Sequence, residues 1–398
     1  MKSSKTINIR TILLLFSIMV IIGFVGNLRG ALLPSIKKDL SISYSDIGLM
    51  IFLTSLGYFS STFFGGIIGD RIGQRKVLAF GFAVITIGLI GILFTKSFFI
   101  LLITMLILNT GLGCFDIGLN SLASRVFVTN TAIMMSMMHV FFGLGSSASP
   151  KIAGFMLSKN IEWNYIYFSA IALIGTVFVL YATTPIKYVS SQGKTPRIPL
   201  STLFKDKRLW LFIGVLGFCE ATEGGIGTWL INFLQIERGL SKSESTQYMF
   251  YFFLIYTVGR IFGGYLAEKL GYIRTIISFV IITIVLFVSG LFLGNSWAIL
   301  FSLTGFSISI MYPTMVTVIS KEFTEGISSA LGIIMTAAGL MSVGSSLLIG
   351  KINDSIGVSA GIAMIPVFAS VAVVLLFILR GFLRPPIEKI AVKSADVF

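Results

Sequence analysis

Long apolar segments recur along the whole chain and restrict how it can fold. Each is close to the ~20 residues that a helix needs to cross the hydrocarbon core of a bilayer. Hydrophobic residues make up 55% of the sequence and charged residues only 12%, more apolar surface than one soluble core could bury. The sequence therefore predicts an all-α membrane protein with twelve transmembrane helices in a lipid bilayer. The segments lie at 11–34, 47–69, 77–95, 98–122, 132–157, 163–184, 209–235, 247–267, 273–293, 297–319, 327–350 and 358–382.

The basic residues indicate how these helices are oriented. Lys2, Lys5 and Arg10 precede the first apolar segment, which has no small-residue cleavage pattern and is predicted to be a retained helix. Lys and Arg concentrate in the loops on the same side of the membrane as the N-terminus, so both termini are predicted to be cytoplasmic. The membrane is predicted to be the plasma membrane. The net charge of +14 then reflects topology, and no nucleic-acid partner is expected.

A glycine-rich motif occurs twice and divides the chain into two equivalent parts. It reads GGIIGDRIGQRK at Gly65–Lys76 and GGYLAEKLGYIR at Gly263–Arg274. Two copies at such a separation indicate that the whole chain is a duplication. We expect an N-terminal six-helix half at 1–184, a basic cytoplasmic linker at 185–208 and a C-terminal six-helix half at 209–398.

The first copy resembles the signature of the major facilitator superfamily, and the resemblance covers essentially the whole chain. It implies alternating access, with this loop as a conformational latch. Asp70 would then lie against the positive N-terminus of a helix in the other half. The neighbouring bases could equally be plain topology signals. The predicted latch residues are Gly66, Asp70, Arg71, Gly73, Arg75, Lys76 and, in the second copy, Glu268.

Polar groups inside the apolar segments are the candidates for function, because a charge at mid-membrane costs ~2.5–3.5 kcal/mol or more. Glu220 and Glu223 lie one helical turn apart and share a face, so the pair could bind and release a proton. The alternative is a structural ion pair with Arg29 or Arg260. Three glycines directly after the pair are expected to weaken the helix beside a substrate site, and Trp229, Asn232 and Gln235 follow with a ring face and amide groups.

Two further segments supply polar candidates at similar depth. Asp116 and Asn120 share one helical face, and His139 lies on the next helix, so Asp116 and His139 could form a proton relay or gate. A lone histidine is more often a packing residue.

Asn27 and Arg29 lie in the first segment, where Arg29 could bind an anionic group or neutralise Glu223.

Short motifs narrow the resemblance to the fucose-permease-like branch, whose members are often proton-coupled sugar importers. They read NLRGALLPSI, FDIGLN, MMHVFFGLGSSASP, CEATEGGIGTWL and MYPT. The resemblance implies a secondary active transporter that moves a small polar solute, a sugar or sugar-like compound, with a proton as the coupling ion. Ser149-Pro150-Lys151 departs from the Gly-Pro motif of drug antiporters, which weakens the alternative of efflux of an amphipathic compound.

Other functional classes are less well supported. A non-transporting membrane sensor would need no switching motif. An enzyme is not expected, because the single histidine lacks an evident nucleophile partner. Cys114 and Cys219 lie inside apolar segments, so no disulfide framework, metal site or cofactor is expected. We expect a monomer.

Overall fold

Helices account for all the regular structure in the part of the chain that the computed structural model describes. That part comprises residues 9–127, 131–185, 200–323 and 327–383, and a few side chains inside its helices are also outside the description. The helices are α1 Ile9–Leu40, α2 Tyr44–Ile72, α3 Gln74–Leu93, α4 Phe98–Val126, α5 Thr131–Ser158, α6 Trp163–Thr183, α7 Leu200–Lys205, α8 Lys207–Ile236, α9 Lys242–Leu270, α10 Tyr272–Phe292, α11 Ile299–Ser309, α12 Met311–Glu322, α13 Ile327–Ser355 and α14 Val358–Phe382, with a short 3-10 turn at Asn295–Trp297.

Eleven helical stretches among the described residues are long and apolar enough to cross a membrane. The fifth helix, α5, has 28 residues and completes the predicted set of twelve. Several helices, including α1, α2, α8 and α9, extend beyond their apolar segments at both ends, where polar residues continue the helix. The all-α membrane fold expected from the hydropathy pattern is therefore confirmed.

The predicted segment 297–319 is not one continuous helix, as the sequence pattern suggested. The chain forms α11 and then α12, with Ile310 between them. Pro313 lies in the first turn of α12 and has no N–H to donate to the carbonyl of Ser309, so one hydrogen bond of a continuous helix is missing here. Together the two helices still span the length of a membrane helix.

Consecutive helices run up and down, so the bundle has two ends. We call the end that contains the α2–α3 and α9–α10 turns the proximal end. The opposite end, with the α1–α2 and α13–α14 turns, is the distal end. Capping boxes begin two helices at the distal end, where Ser43 pairs with Asp46 and Ser241 pairs with Glu244. These S-x-x-[D/E] patterns explain why α2 and α9 begin before their apolar segments.

The first six long helices pack against the last six along three pairs. These pairs are α2 with α13, α5 with α9, and α1 with α8. Small residues permit the close approach: a Cβ atom at Gly48 would meet the backbone of α13 at Ser346, and one at Gly30 would strike the carbonyl of Gly227 on α8. Most of the predicted linker, 186–199, lies outside the described residues; α7 and the first turn of α8 occupy its last part.

Candidate functional site

A buried tyrosine joins Glu223 of α8 to Arg260 of α9. The Tyr256 hydroxyl donates a hydrogen bond of 2.6 Å to Oε1 of Glu223 and accepts one from Nη2 of Arg260. The guanidinium centre also lies 4.6 Å from the centre of the Tyr256 ring, a cation–π distance. The acid and the base are thus linked through a hydroxyl, so the ion pair with Arg260 considered from the sequence is an indirect one.

Arg260 carries this chain of hydrogen bonds into the first set of helices. Its Nη1 donates to Nδ1 of His139 on α5 at 3.2 Å, which requires that this ring nitrogen is an acceptor. Arg260 also lies 5.9 Å from the ring centre of Phe142 on the same helix. The resulting network, Glu223–Tyr256–Arg260–His139, connects α8 and α9 with α5 inside the bundle. We call it the central network.

Asp116 belongs to a second cluster rather than to a relay with His139. Its carboxylate accepts a hydrogen bond of 2.9 Å from Nδ2 of Asn120 and another from the hydroxyl of Tyr58 on α2. Among the described residues no hydrogen bond joins Asp116 to His139, so the structure does not bring together the two groups of the expected relay. The shared face of Asp116 and Asn120 is as predicted.

Glu220 stands between the two clusters without a hydrogen bond of its own among the described residues. Tyr312, in the first turn of α12, is within electrostatic range of Glu220, Asp116, Glu223 and Arg260. Tyr58 is likewise within range of Glu220. Three acids and one base therefore converge with tyrosine hydroxyls around one interior region, which suits a polar solute that needs several hydrogen bonds.

Tyr58, Tyr256 and Tyr312 are parts of this site that the sequence interpretation missed. Tyrosine is common in membrane helices, so its presence alone was no signal. A usable signal was the spacing: Tyr256 precedes Arg260 by one helical turn, the arrangement that places two side chains in contact.

The other predicted site residues of α8 lie towards the distal end. Trp229 is 1% exposed, and its ring lies edge-on to Tyr44 at 6.0 Å between centroids. Asn232 is hydrogen-bonded to the Tyr44 hydroxyl, and Gln235 donates to Ser245 at 2.8 Å. Asn232 and Gln235 line a distal cavity of about 750 Å³. The structure thus separates these three residues from the central network.

The two polar residues of α1 have different surroundings. Asn27 donates to the carbonyl of Gly23 at 2.9 Å and to the hydroxyl of Ser146 on α5 at 3.1 Å, so it fastens α1 to α5. Arg29 is part-buried and has no hydrogen bond or ion pair among the described residues; Tyr167 of α6 is the titratable neighbour within electrostatic range. Of the two alternatives considered for Arg29, neutralisation of Glu223 is not seen in this structure.

The glycines after Glu223 do not interrupt α8, contrary to the expectation of a weakened helix. The helix continues unbroken to Ile236. Gly225 packs beside Ile365 of α14, and the carbonyl of Gly227 faces Gly30 of α1. Tertiary packing outweighs the low helix propensity of glycine here, and the small residues serve close helix contacts instead.

The predicted latch residues lie at the proximal end, in two structurally equivalent turns. Gly73 has φ +94° and Gly271 has φ +88°, a backbone conformation that side chains disfavour. Arg75 lies 5.6 Å from the Tyr181 ring, and its carbonyl accepts from the Tyr181 hydroxyl at 2.8 Å. Arg71, Lys76 and Glu268 are exposed, Gly66 faces Ile117, and the side chain of Asp70 lies outside the described residues.

Comparison with known families identifies the class of protein that this fold and interior polar site represent. The family model described as Major Facilitator Superfamily matches residues 14–343. The chain therefore belongs to the Major Facilitator Superfamily and is a multi-pass membrane transporter. This membership confirms the resemblance found from the motifs, and it confirms that the protein is not an enzyme.

Individual relatives are distant. The chain is 24% identical over 255 residues to the cis,cis-muconate transport protein of Acinetobacter baylyi. This alignment covers 60% of this chain and 61% of the relative. It is 22% identical to the glucose/mannose transporter GlcP of Bacillus subtilis, covering 89% and 90% of the two chains. Among solved structures, the D-xylose-proton symporter superposes with a TM-score of 0.78 at 14% identity, covering 95% and 98%. That likeness establishes the shared fold.

Proposed function

We propose that this transporter couples the movement of a small polar solute, a sugar or sugar-like compound, to a proton by alternating access. The observation that carries the proposal is the central network, in which a titratable carboxylate is hydrogen-bonded through Tyr256 and Arg260 to the opposite set of helices. In this proposal the two sets of helices are the halves 1–184 and 209–398, joined by a basic linker at 185–208. The protein is a monomer in the plasma membrane, and both of its termini are cytoplasmic.

Protonation of Glu223 would change what Tyr256 and Arg260 can bind. An ionised carboxylate only accepts hydrogen bonds, whereas a protonated one can also donate. Once Glu223 is neutral, it no longer offsets the charge of Arg260, and the contact between Arg260 and His139 of α5 changes in strength. The proton state of one side chain is thereby linked to the packing of α9 against α5.

A binding screen is the first experiment, because the solute must be found before transport is measured. Purified protein is heated with neutral sugars, sugar acids and amphipathic drugs. A ligand present at 100 times its dissociation constant adds ~2.7 kcal/mol of apparent stability. Sugar-like stabilisers support the proposal, while stabilisation by drugs alone supports the efflux alternative.

Proton coupling is tested with Glu223→Gln in liposomes that contain the purified protein. We expect the variant to exchange labelled for unlabelled solute across the membrane but to lose accumulation driven by a pH gradient. Glu237→Gln is the matched control, since Glu237 is an exposed acid at the end of the same helix. Wild-type accumulation by Glu223→Gln contradicts this role of the central network.

A second candidate is that the solute bears a carboxylate, and Arg29 favours it. A part-buried guanidinium without a described anionic partner is costly, and a bound anion would relieve that cost. The relative named as a cis,cis-muconate transport protein points in the same direction. Arg29→Gln should abolish stabilisation by sugar acids but not by neutral sugars, and Arg29→Lys should restore part of it. Equal loss for both solute classes argues against an anion site at Arg29.

A further inference from the structure

The distal end holds a contact between α2 and α13 that neither the family motif nor the central network includes. Asp354, in the last turn of α13, lies at the N-terminus of α2. Its Oδ1 accepts from the backbone N–H of Tyr44 at 3.0 Å, and its Oδ2 accepts from the backbone N–H of Ser45 at 2.7 Å. The Ser45 hydroxyl donates to the same oxygen at 2.6 Å. Residues about 310 positions apart are thus joined across the two sets of helices.

The chemistry of this contact favours a charged acid. The first N–H groups of a helix lack partners within it, and they carry the positive end of the helix dipole. The capping box of α2 already uses Ser43 and Asp46 to satisfy part of this helix end. Asp354 accepts from two further N–H groups, those of Tyr44 and Ser45, and it does so from the other set of helices. The contact therefore joins the two sets, in addition to the cap that α2 forms by itself.

Close backbone packing surrounds the contact. A Cβ at Gly350 would strike the carbonyl of Tyr44, and one at Gly48 would meet the backbone at Ser346 and Leu347. The two helices therefore touch at backbone distance along the two turns of α13 that precede Asp354. Such a crossing can exist only while the distal end is closed.

Tyr44 extends the contact to α8. Its ring meets Trp229 edge-on, its hydroxyl is hydrogen-bonded to Asn232, and Lys37 lies 4.2 Å from the ring centre. A second cross-set contact lies at the same distal end, on another pair of helices, where Lys151 of α5 donates to Gln247 of α9. At the proximal end, the hydrogen bonds of Arg75 with Ala182 and of Arg208 with Glu322 each lie within one set.

We propose that Asp354 is a distal latch, an acid that binds the N-terminus of α2 and holds the distal side closed while the proximal side opens. It would act at the opposite end of the bundle from the glycine-rich motif. The inference rests on the alternating access proposed above. In that cycle the latch must break each time the distal side opens, so its strength sets the balance between the two states.

The experiment measures the distance between the two sets of helices without any solute. Spin labels are attached to cysteines introduced at the exposed residues Lys38 and Ile356, and distances are measured by double electron–electron resonance. Cys114 and Cys219 are each 4% exposed, and the parent protein without added cysteines measures their labelling. We expect one main short distance in the wild-type protein.

Asp354→Ala should raise the ratio of long to short distances about five- to tenfold, since three hydrogen bonds to a charged acceptor are lost, although the site is exposed to solvent. Asp354→Asn, which keeps an acceptor but not the charge, should give a smaller rise, and Ser45→Ala a smaller rise still. Asp46→Ala is the matched control, because it removes an acid from the same helix end within one set.

Two results overturn the distal latch. One is an Asp354→Ala distance distribution identical to that of the wild type, and the other is an equal shift in Asp46→Ala, which would show a general effect of weakening the α2 N-terminus. Failure of the proposed function is distinguishable, because a protein that moves no solute under a pH gradient but still shifts with Asp354→Ala keeps the latch and loses only the transport proposal.

Discussion

Tyr256 is the residue on which the interior chemistry depends. It keeps Glu223 and Arg260 linked without direct contact, so each group retains a hydrogen bond when the other changes. Tyr256→Phe removes only the hydroxyl. An unsatisfied buried polar group costs about 1–3 kcal/mol, so we expect lower thermal stability and at least tenfold slower solute accumulation driven by a pH gradient.

The control for this change lies on the same helix. Tyr251 is 37% exposed and lies on a different face of α9 from Tyr256. Tyr251→Phe should therefore leave both the melting temperature and the accumulation rate unchanged. If Tyr256→Phe transports as fast as Tyr251→Phe, the hydroxyl bridge has no part in coupling.

Gly73 illustrates a backbone constraint at a single residue. Its φ of +94° closes the turn between α2 and α3, and its N–H donates to the carbonyl of Gly69 at 3.0 Å. Gly73→Ala should lower stability by about 1–2 kcal/mol, because a Cβ disfavours this conformation. Gly264→Ala provides the contrast: Gly264 is helical with no atom near its missing Cβ, so alanine should be neutral or stabilising there. Melting temperatures in detergent that move equally for both variants would contradict the strain argument.

Single residues also show what sequence reasoning could and could not reach. Glu220, Glu223 and Asp116 were found because charges inside apolar segments are rare and costly. The partners of these acids were not predictable, because contacts between helices depend on their rotation and crossing, which hydropathy does not encode. Arg260 was considered from the sequence as an ion-pair partner of the two glutamates. Its contact with His139, on a helix of the opposite set, was not predicted.

Among the helices, α1 and α8 cross with their backbones in contact. Gly30 lies against the carbonyl of Gly227, so even one methyl group at this position must push the two backbones apart. We expect Gly30→Ala to favour the distal-open arrangement, to lengthen the label distance described above and to slow solute exchange about tenfold.

Gly26 provides the control on the same helix, because nothing lies within 4 Å of a Cβ built there. Gly26→Ala should keep the wild-type distance distribution and exchange rate. A Gly30→Ala variant that behaves like Gly26→Ala would mean that α1 and α8 need not approach this closely.

The helices themselves were the most predictable level of the structure. Apolar length identified the spans, but not where α2 and α9 begin, because polar capping boxes start both helices ahead of their apolar segments. The break at Ile310 was missed, because α11 and α12 together still read as one apolar segment. The continuity of α8 through its glycines was missed for the opposite reason: local propensity favoured an interruption, and packing against α1 and α14 prevailed.

For the molecule as a whole, the two equivalent proximal turns are expected to contribute unequally to switching. Both turns keep a glycine with positive φ, but only the first has an arginine after it that packs on Tyr181 of α6; the second has Ile273 there. The first copy thus has a base held on α6 that the second copy lacks, so we expect the first copy to dominate.

Asp70→Asn and Glu268→Gln test this asymmetry directly. Each replacement removes one negative charge and keeps the size of the side chain. Asp70→Asn should slow solute exchange about five- to tenfold, and Glu268→Gln by less than twofold, because Glu268 is exposed and its interactions are screened by solvent. Exchange is measured in liposomes without a pH gradient, so a change in proton coupling does not affect the comparison. Equal slowing by the two variants would show that the duplicated turns are functionally equivalent, and that the base after the first one adds nothing to the latch.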